Sequence, residues 1–121
     1  MLKHKKMTKE KTAKDIAEEK YPETTNEFKR LMNYQYEVFC KKMLDYGVDN
    51  ICEGDKTNDE NIRFSQIGIF FKLRDKVNRI KQLIVLNNEQ LVENEIIDDT
   101  YQDLSNYSII AQIVKNKLWG K

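Results

Sequence analysis

The longest helix-compatible run in the chain, residues 93–121, constrains the fold more than any other stretch. Most residues of its apolar face recur at three- and four-residue steps, as on one face of an α-helix: Ile97, Thr100, Tyr101, Leu104, Ile110, Ala111, Val114 and Leu118. Four glycines and one proline in 121 residues leave little turn chemistry for a sheet of several strands. The sequence therefore predicts an all-α protein.

Two further helices are predicted upstream. The expected fold is a helical bundle of three main helices near residues 26–46, 65–87 and 92–118. A capping box formed by Thr24 and Glu27 marks the start of the first helix, and Gly47 is its expected left-handed C-terminal cap. A long polar connection, residues 48–63, leads to the second helix.

The chain is predicted to hold one folded domain, residues 26–121, after an N-terminal segment of different character. Residues 1–25 are expected to be a mobile basic tail or a short docking helix that packs through Ile16 and Ala17. The basic character comes from six lysines: Lys3, Lys5, Lys6, Lys9, Lys11 and Lys14.

Charge and composition exclude several classes of function. With 21 basic and 20 acidic residues the net charge is +1, so specific DNA binding is not expected. No apolar run approaches the length of a membrane span and no signal peptide is recognisable, so we expect a cytoplasmic protein with reduced thiols and no membrane partner. The one histidine, His4, lies in the tail, which leaves carboxylates, lysines and a bound metal for any chemistry.

Three carboxylates lie near the start of the last predicted helix. Glu95, Asp99 and Asp103 are spaced four residues apart and drift towards the apolar face. One interpretation is a set of metal ligands. The other is a solvated acidic flank that the helix macrodipole favours near an N-terminus.

Cations on the other two helices are candidates for anion binding. Lys42 falls inside the apolar arc of the first helix, where its ammonium either meets a phosphate or an acid, such as Asp99 or Asp103, or snorkels to the edge. One flank of the second helix carries Lys72, Lys76 and Arg79. One interpretation is that these three cations converge on phosphates. The other is that Arg79 forms an intrahelical ion pair with Asp75, four residues before it.

The end of the last helix is apolar nearly all round: Ile109, Ile110, Ile113, Val114, Leu118 and Trp119. Three helices of one chain cannot cover this surface, so we expect a homo-oligomer, a dimer or higher, that associates through the last helix.

Three ordered motif blocks resemble a known family. They are Lys42-x-x-Asp45-Tyr46-Gly47, then Gly68-Ile69 with Leu73-x-Asp75-Lys76-x-x-Arg79, and then Glu95-x-x-x-Asp99-Thr100-x-x-Asp103-x-x-Asn106-Tyr107. This pattern, over about residues 28–118, resembles the nucleotide-modification-associated helical domain of phage and bacterial proteins, which is itself similar to all-α nucleoside triphosphate pyrophosphatases of the MazG type. The resemblance implies an oligomeric helical bundle in which carboxylates hold Mg²⁺ against nucleotide phosphates.

By position, the resemblance makes Asp99 and Asp103 the acidic pair of the catalytic helix. Asp75 is the matching candidate on the second helix, and Glu95 joins these three as an expected metal ligand because of its spacing. The expected catalytic residues are Asp99, Asp103 and Lys42. The residue types indicate ligand binding by Lys42, Asp45, Tyr46, Lys72, Lys76, Arg79 and Tyr107. Tyr46 and Tyr107 either stack on a base or are core aromatics, and the core is the expected place of Tyr107. The chain departs from the MazG pattern on the second helix, where cations replace a cluster of glutamates.

The function implied is Mg²⁺-dependent hydrolysis of a nucleoside triphosphate, in the cytoplasm of a bacterium or of a host cell for a phage protein. Two alternatives stay open. The first is a protein that binds a nucleotide or cyclic nucleotide without turnover, and so sequesters or senses it. The second is a structural interaction module.

Overall fold

The structure, a computed structural model, describes residues 10–121. They form four α-helices, α1 (Ala13–Lys20), α2 (Pro22–Tyr46), α3 (Asp59–Ile80) and α4 (Ile97–Lys115), and a π-helical segment, Lys81–Val85, continues α3. This range contains no strand, so the prediction of an all-α protein is confirmed. Within residues 10–121, no helix combines the length and apolarity needed to span a bilayer. His4 and four of the six tail lysines lie outside the described residues.

The N-terminal capping prediction for α2 is wrong. The helix begins at Pro22, before the capping box expected at Thr24, because proline suits the first helical position, where its missing N–H would have no partner. A capping box does form one helix earlier. The Thr12 hydroxyl accepts a hydrogen bond from the Asp15 N–H, and the Asp15 carboxylate accepts one from the Thr12 N–H.

The bounds of α3 and α4 also differ from the prediction. α3 begins at Asp59 rather than near residue 65, because Asn58 caps it through a 3.0 Å hydrogen bond from the Asn61 N–H. Its last turn is wider than an α-helical turn: the Leu86 N–H donates to the Lys81 carbonyl at 2.9 Å. α4 is shorter than residues 92–118 at both ends.

The described residues fall into two compact units, one up to Tyr34 and one from Gln35 onwards. The predicted boundary after residue 25 falls within α2. In the first unit, the Glu18 carboxylate forms two ion pairs. Lys29 Nζ lies 2.8 Å from Glu18 Oε2, and Lys14 Nζ lies 3.1 Å from Glu18 Oε1. These two ammonium groups hold the pKa of the Glu18 carboxyl below its usual value.

The second unit contains the apolar core. Its buried apolar side chains are Cys52, Ile69, Ile110, Val114 and Trp119. α3 packs against α4, and the Gln66 amide ties the two helices by donating to the Ala111 carbonyl at 2.9 Å. The Trp119 indole N–H donates to the Val48 carbonyl at 2.9 Å, which fixes the C-terminal residues against the loop that follows α2.

Much of the apolar surface that predicted self-association is used inside the chain. Ile110, Val114 and Trp119 are buried, whereas Ile109 and Leu118 are more than half exposed. Other large apolar side chains are exposed on α2 and on α3, where they include Phe64, Phe70 and Phe71. Association through the last helix therefore stays a prediction.

Candidate functional site

A cleft of about 320 Å³ opens in the second unit between the end of α2, the following loop, α3 and α4. We call it the central cleft. Its polar lining consists of Lys42, Asn50, Lys72, Asp103 and Asn106. Its apolar and aromatic lining includes Phe39, Met43, Tyr46, Tyr107, Ile110 and Trp119.

Gly47 places the loop beside the cleft. Its φ is +76° and its N–H donates to the Met43 carbonyl at 2.9 Å, so the prediction of a left-handed cap is confirmed. A Cβ at this position would meet no other atom within 4 Å, so the glycine is required for its backbone conformation and not for space. The turn brings Asn50 to the cleft lining.

Lysines from two helices surround the carboxylate of Asp103. Lys76 Nζ lies 2.8 Å from Asp103 Oδ2, and Lys42 Nζ lies 3.4 Å from Oδ1. Lys72 Nζ lies 5.6 Å from the centroid of the Tyr107 ring, a cation–π arrangement at the side of the cleft. We call Lys42, Lys72 and Lys76 the lysine cluster. Lys42 and Lys72 line the cleft, whereas Lys76 contacts Asp103 from outside the lining. Two ammonium groups pair with one carboxylate and a third lies beside Tyr107, so positive charge is in excess and attracts anions.

The predicted contact of Lys42 with an acid is confirmed by its ion pair with Asp103. Its predicted place in a buried arc is wrong, because its side chain is 52% exposed and α2 has no buried residue. The ammonium group is therefore paired and accessible at the same time, and a ligand can reach it from solvent.

The aromatic side of the cleft provides a surface on which a base can stack. Phe39 and Trp119 meet edge to face, with ring centroids 6.1 Å apart. Tyr46 ends α2 and is 67% exposed, so one face of its ring is open to a planar ligand. Asn106 is held in place because its amide donates to the Gln35 carbonyl at 3.2 Å.

The structure does not bring all predicted ligand-binding residues to the cleft. The Arg79 guanidinium donates to the Glu95 carboxylate at 3.2 Å and to the Glu95 backbone carbonyl at 2.5 Å. The predicted alternative of an ion pair between Arg79 and Asp75 is therefore wrong. Arg79 and Glu95 line a separate cavity of about 390 Å³. Asp45 is exposed and does not line the central cleft.

The four predicted metal ligands do not converge on one site. Asp75 and Asp99 are exposed, Glu95 is paired with Arg79, and Asp103 is paired with two lysines. Among residues 10–121, no three His, Cys, Asp or Glu side chains converge closely enough to hold a metal ion. Mg²⁺ in nucleotide sites is held by one or two carboxylates together with waters and phosphate oxygens. The four predicted residues therefore do not form a single four-ligand site, and Asp99 and Asp103, one turn apart on α4, are the pair that would have to hold such an ion.

Two cleft residues that matter for the geometry were given no role from the sequence. Asn106 stands in the motif that resembles the family and follows Asp103 by three residues on α4, so helical spacing was a signal that could have placed it on the same face. Trp119 lies beyond the end of α4, after Lys117 turns the chain with a φ of +62°. No periodic pattern could have placed its side chain against Val48.

The comparisons with known proteins point to one family. No curated protein and no solved structure matches the chain. Residues 42–114, more than half of the chain, match the family described as nucleotide modification associated domain 1. The matched span begins at Lys42 and contains Lys72, Lys76, Asp103 and Tyr107. A relationship to MazG-type enzymes stays a prediction. The chain belongs to the nucleotide modification associated domain 1 family.

Proposed function

We propose that the protein binds a nucleotide in the central cleft, with the phosphate at the lysine cluster and the base on the aromatic side. The observation that carries this proposal is that Lys42, Lys72, Tyr46 and Tyr107 line one cavity. Its volume, about 320 Å³, suits a small-molecule ligand.

The lysine cluster supplies the phosphate contacts. Lysine ammonium groups donate up to three hydrogen bonds each, and hydrogen bonds to phosphate oxygens are charge-assisted. Lys42 reaches the cleft from α2 and Lys72 from α3, so a phosphate between them would be held from two sides. Asn50 and Asn106 offer neutral amides for the sugar or the edge of a base.

Binding without turnover is the form of this function that the geometry favours. A carboxylate that is paired with two lysines is not available to activate water, and the remaining acids are apart. The protein would then sequester or sense its nucleotide. Hydrolysis of a nucleoside triphosphate with Mg²⁺ is the second candidate, because Asp99 and Asp103 lie one turn apart on α4.

Titration with nucleotides tests the proposal. Trp119 is the single tryptophan and lines the cleft, so its fluorescence reports on binding there. Lys42→Met should weaken binding by about tenfold or more, because one charge-assisted hydrogen bond contributes about 1.5–3 kcal/mol. Lys41→Met is the matched control: this neighbouring lysine on α2 is exposed and outside the cleft lining.

The outcomes separate the candidate functions. Equal losses in Lys42→Met and Lys41→Met would place the binding site elsewhere, and no binding with or without Mg²⁺ would leave the structural interaction module. Product formation in the presence of Mg²⁺ that Asp103→Asn abolishes would establish the hydrolase. Binding without product would establish sequestration or sensing.

A further inference from the structure

Asp103 occupies the place where a phosphate would be expected to contact the lysine cluster. Its side chain is 23% exposed and pairs with lysines of two different helices, Lys42 from α2 and Lys76 from α3. A phosphate that enters the cleft therefore competes with a carboxylate that the protein itself supplies.

The two ion pairs are not equal. Lys76 Nζ lies at 2.8 Å from Asp103 and its side chain is 32% exposed, whereas Lys42 Nζ lies at 3.4 Å and its side chain is 52% exposed. Exposed ion pairs contribute little free energy, so the longer pair is the easier one to exchange. Lys42 is the ammonium group that can turn from Asp103 to a ligand while Lys76 stays in place.

The charge of the cluster limits what it can neutralise. Lys42, Lys72 and Asp103 line the cleft, and Lys76 pairs with Asp103 from outside the lining, so these four groups together carry a net charge of +2. The carboxylates of Asp45, Asp49, Asp75 and Asp99 are exposed and lie outside the cleft lining. A phosphate monoester carries about −1.5 to −2 at pH 7, which matches this excess. Each further phosphoryl group adds roughly one negative charge, which metal ions neutralise in the usual triphosphate sites.

We propose that Asp103 determines how many phosphates the ligand carries, and that the cleft selects a nucleoside monophosphate over the triphosphate without a metal. This inference rests on the proposed function, since it assumes that a nucleotide occupies the central cleft. In it Asp103 is a specificity-determining residue that acts through its charge, and Lys42 is the donor that it releases.

The test compares monophosphates with triphosphates of the same nucleosides, in buffer with EDTA, by Trp119 fluorescence. The parent protein should bind the monophosphate at least as tightly as the triphosphate. A unit charge about 7 Å away in water-like surroundings changes affinity about 2.7-fold per unit of ligand charge. The triphosphate carries about two more negative charges than the monophosphate, so Asp103→Asn should improve triphosphate binding about sevenfold more than monophosphate binding.

Two further variants make the result specific. Asp98→Asn removes the same charge from an exposed position on the same helix and should leave the ratio of the two affinities unchanged. Lys76→Gln lowers the positive charge and should shift the ratio further towards the monophosphate, which gives a second reading should Asp103→Asn fail to fold.

Clear results overturn the inference. A parent protein that prefers the triphosphate in EDTA, or an Asp103→Asn ratio equal to that of Asp98→Asn, contradicts it and leaves nucleotide binding intact. Absence of binding by every nucleotide in the panel removes the proposed function and this inference together.

Discussion

Replacing Thr100 with valine should stabilise the protein, because the hydroxyl of Thr100 is buried without a partner. The residue lies in the first turns of α4 and is 1% exposed, and its Oγ1 has no hydrogen-bond partner among the described residues. An unsatisfied buried hydroxyl costs about 1–3 kcal/mol. Valine has the same shape and a similar helix propensity, so neither packing nor propensity offsets the gain. We expect the free energy of unfolding to rise by about 1–2 kcal/mol.

Thermal unfolding followed by circular dichroism measures the effect. In a domain of this size 1 kcal/mol shifts Tm by about 4 °C, so Thr100→Val should raise Tm by about 4–8 °C. Ser65→Ala is the control of opposite sign. Ser65 is 6% exposed and its hydroxyl donates to the Ile51 carbonyl at 2.6 Å, so its loss should lower Tm. If Thr100→Val leaves Tm unchanged or lowers it while Ser65→Ala behaves as expected, the Thr100 hydroxyl has a partner in solution and the reasoning fails.

Two further predictions concern acid stability and association. Lys29 and Lys14 hold the pKa of Glu18 below its ordinary value of 4.5, so the stabilisation is present above that value and is lost as the pH falls through the lowered folded-state pKa. Glu18→Gln should therefore have a lower Tm than the parent at pH 7 and the same Tm in acid well below pH 4.5; a constant difference contradicts this. Exposed Phe64, Phe70 and Phe71 on α3 predict self-association, so light scattering at micromolar concentration should return a mass above the monomer's 14.4 kDa. The monomer mass would refute it.

The existence of the helices was predictable from the sequence, whereas their first residues were not. The apolar periodicity of residues 97–115 reflects the burial of one helix face, and the stability from this packing exceeds the effect of a single local signal. A helix start depends on one cap with an effect of about 1 kcal/mol, and competing caps have similar effects. α2 therefore begins at Pro22 and not at the Thr24 capping box, and α3 begins directly after its cap Asn58, earlier than expected.

The contact of Lys42 with Asp103 was predicted from a premise that the structure contradicts. An ammonium group buried among apolar residues requires an anion, whereas the Lys42 side chain is 52% exposed, so burial does not explain the pair. The partner of Arg79 was not predicted. An intrahelical pair with Asp75 is worth only a few tenths of a kcal/mol, so the contact with Glu95, sixteen residues away, was enough to prevail. Helical spacing carries no information about a partner on a loop.

The start of α4 decides what its carboxylates can do. Glu95, Asp99 and Asp103 share one side only if a helix already runs through Glu95, since residues four apart are neighbours on a helix surface. The chain instead turns at Asn94, with a φ of +64°, and is extended at Ile96, so Glu95 precedes the helix and reaches Arg79. The late start separates Glu95 from Asp103. Asp103 is then paired with two lysines, which supports the proposal that it acts as a charge that competes with phosphate for the lysine cluster and not as a metal ligand.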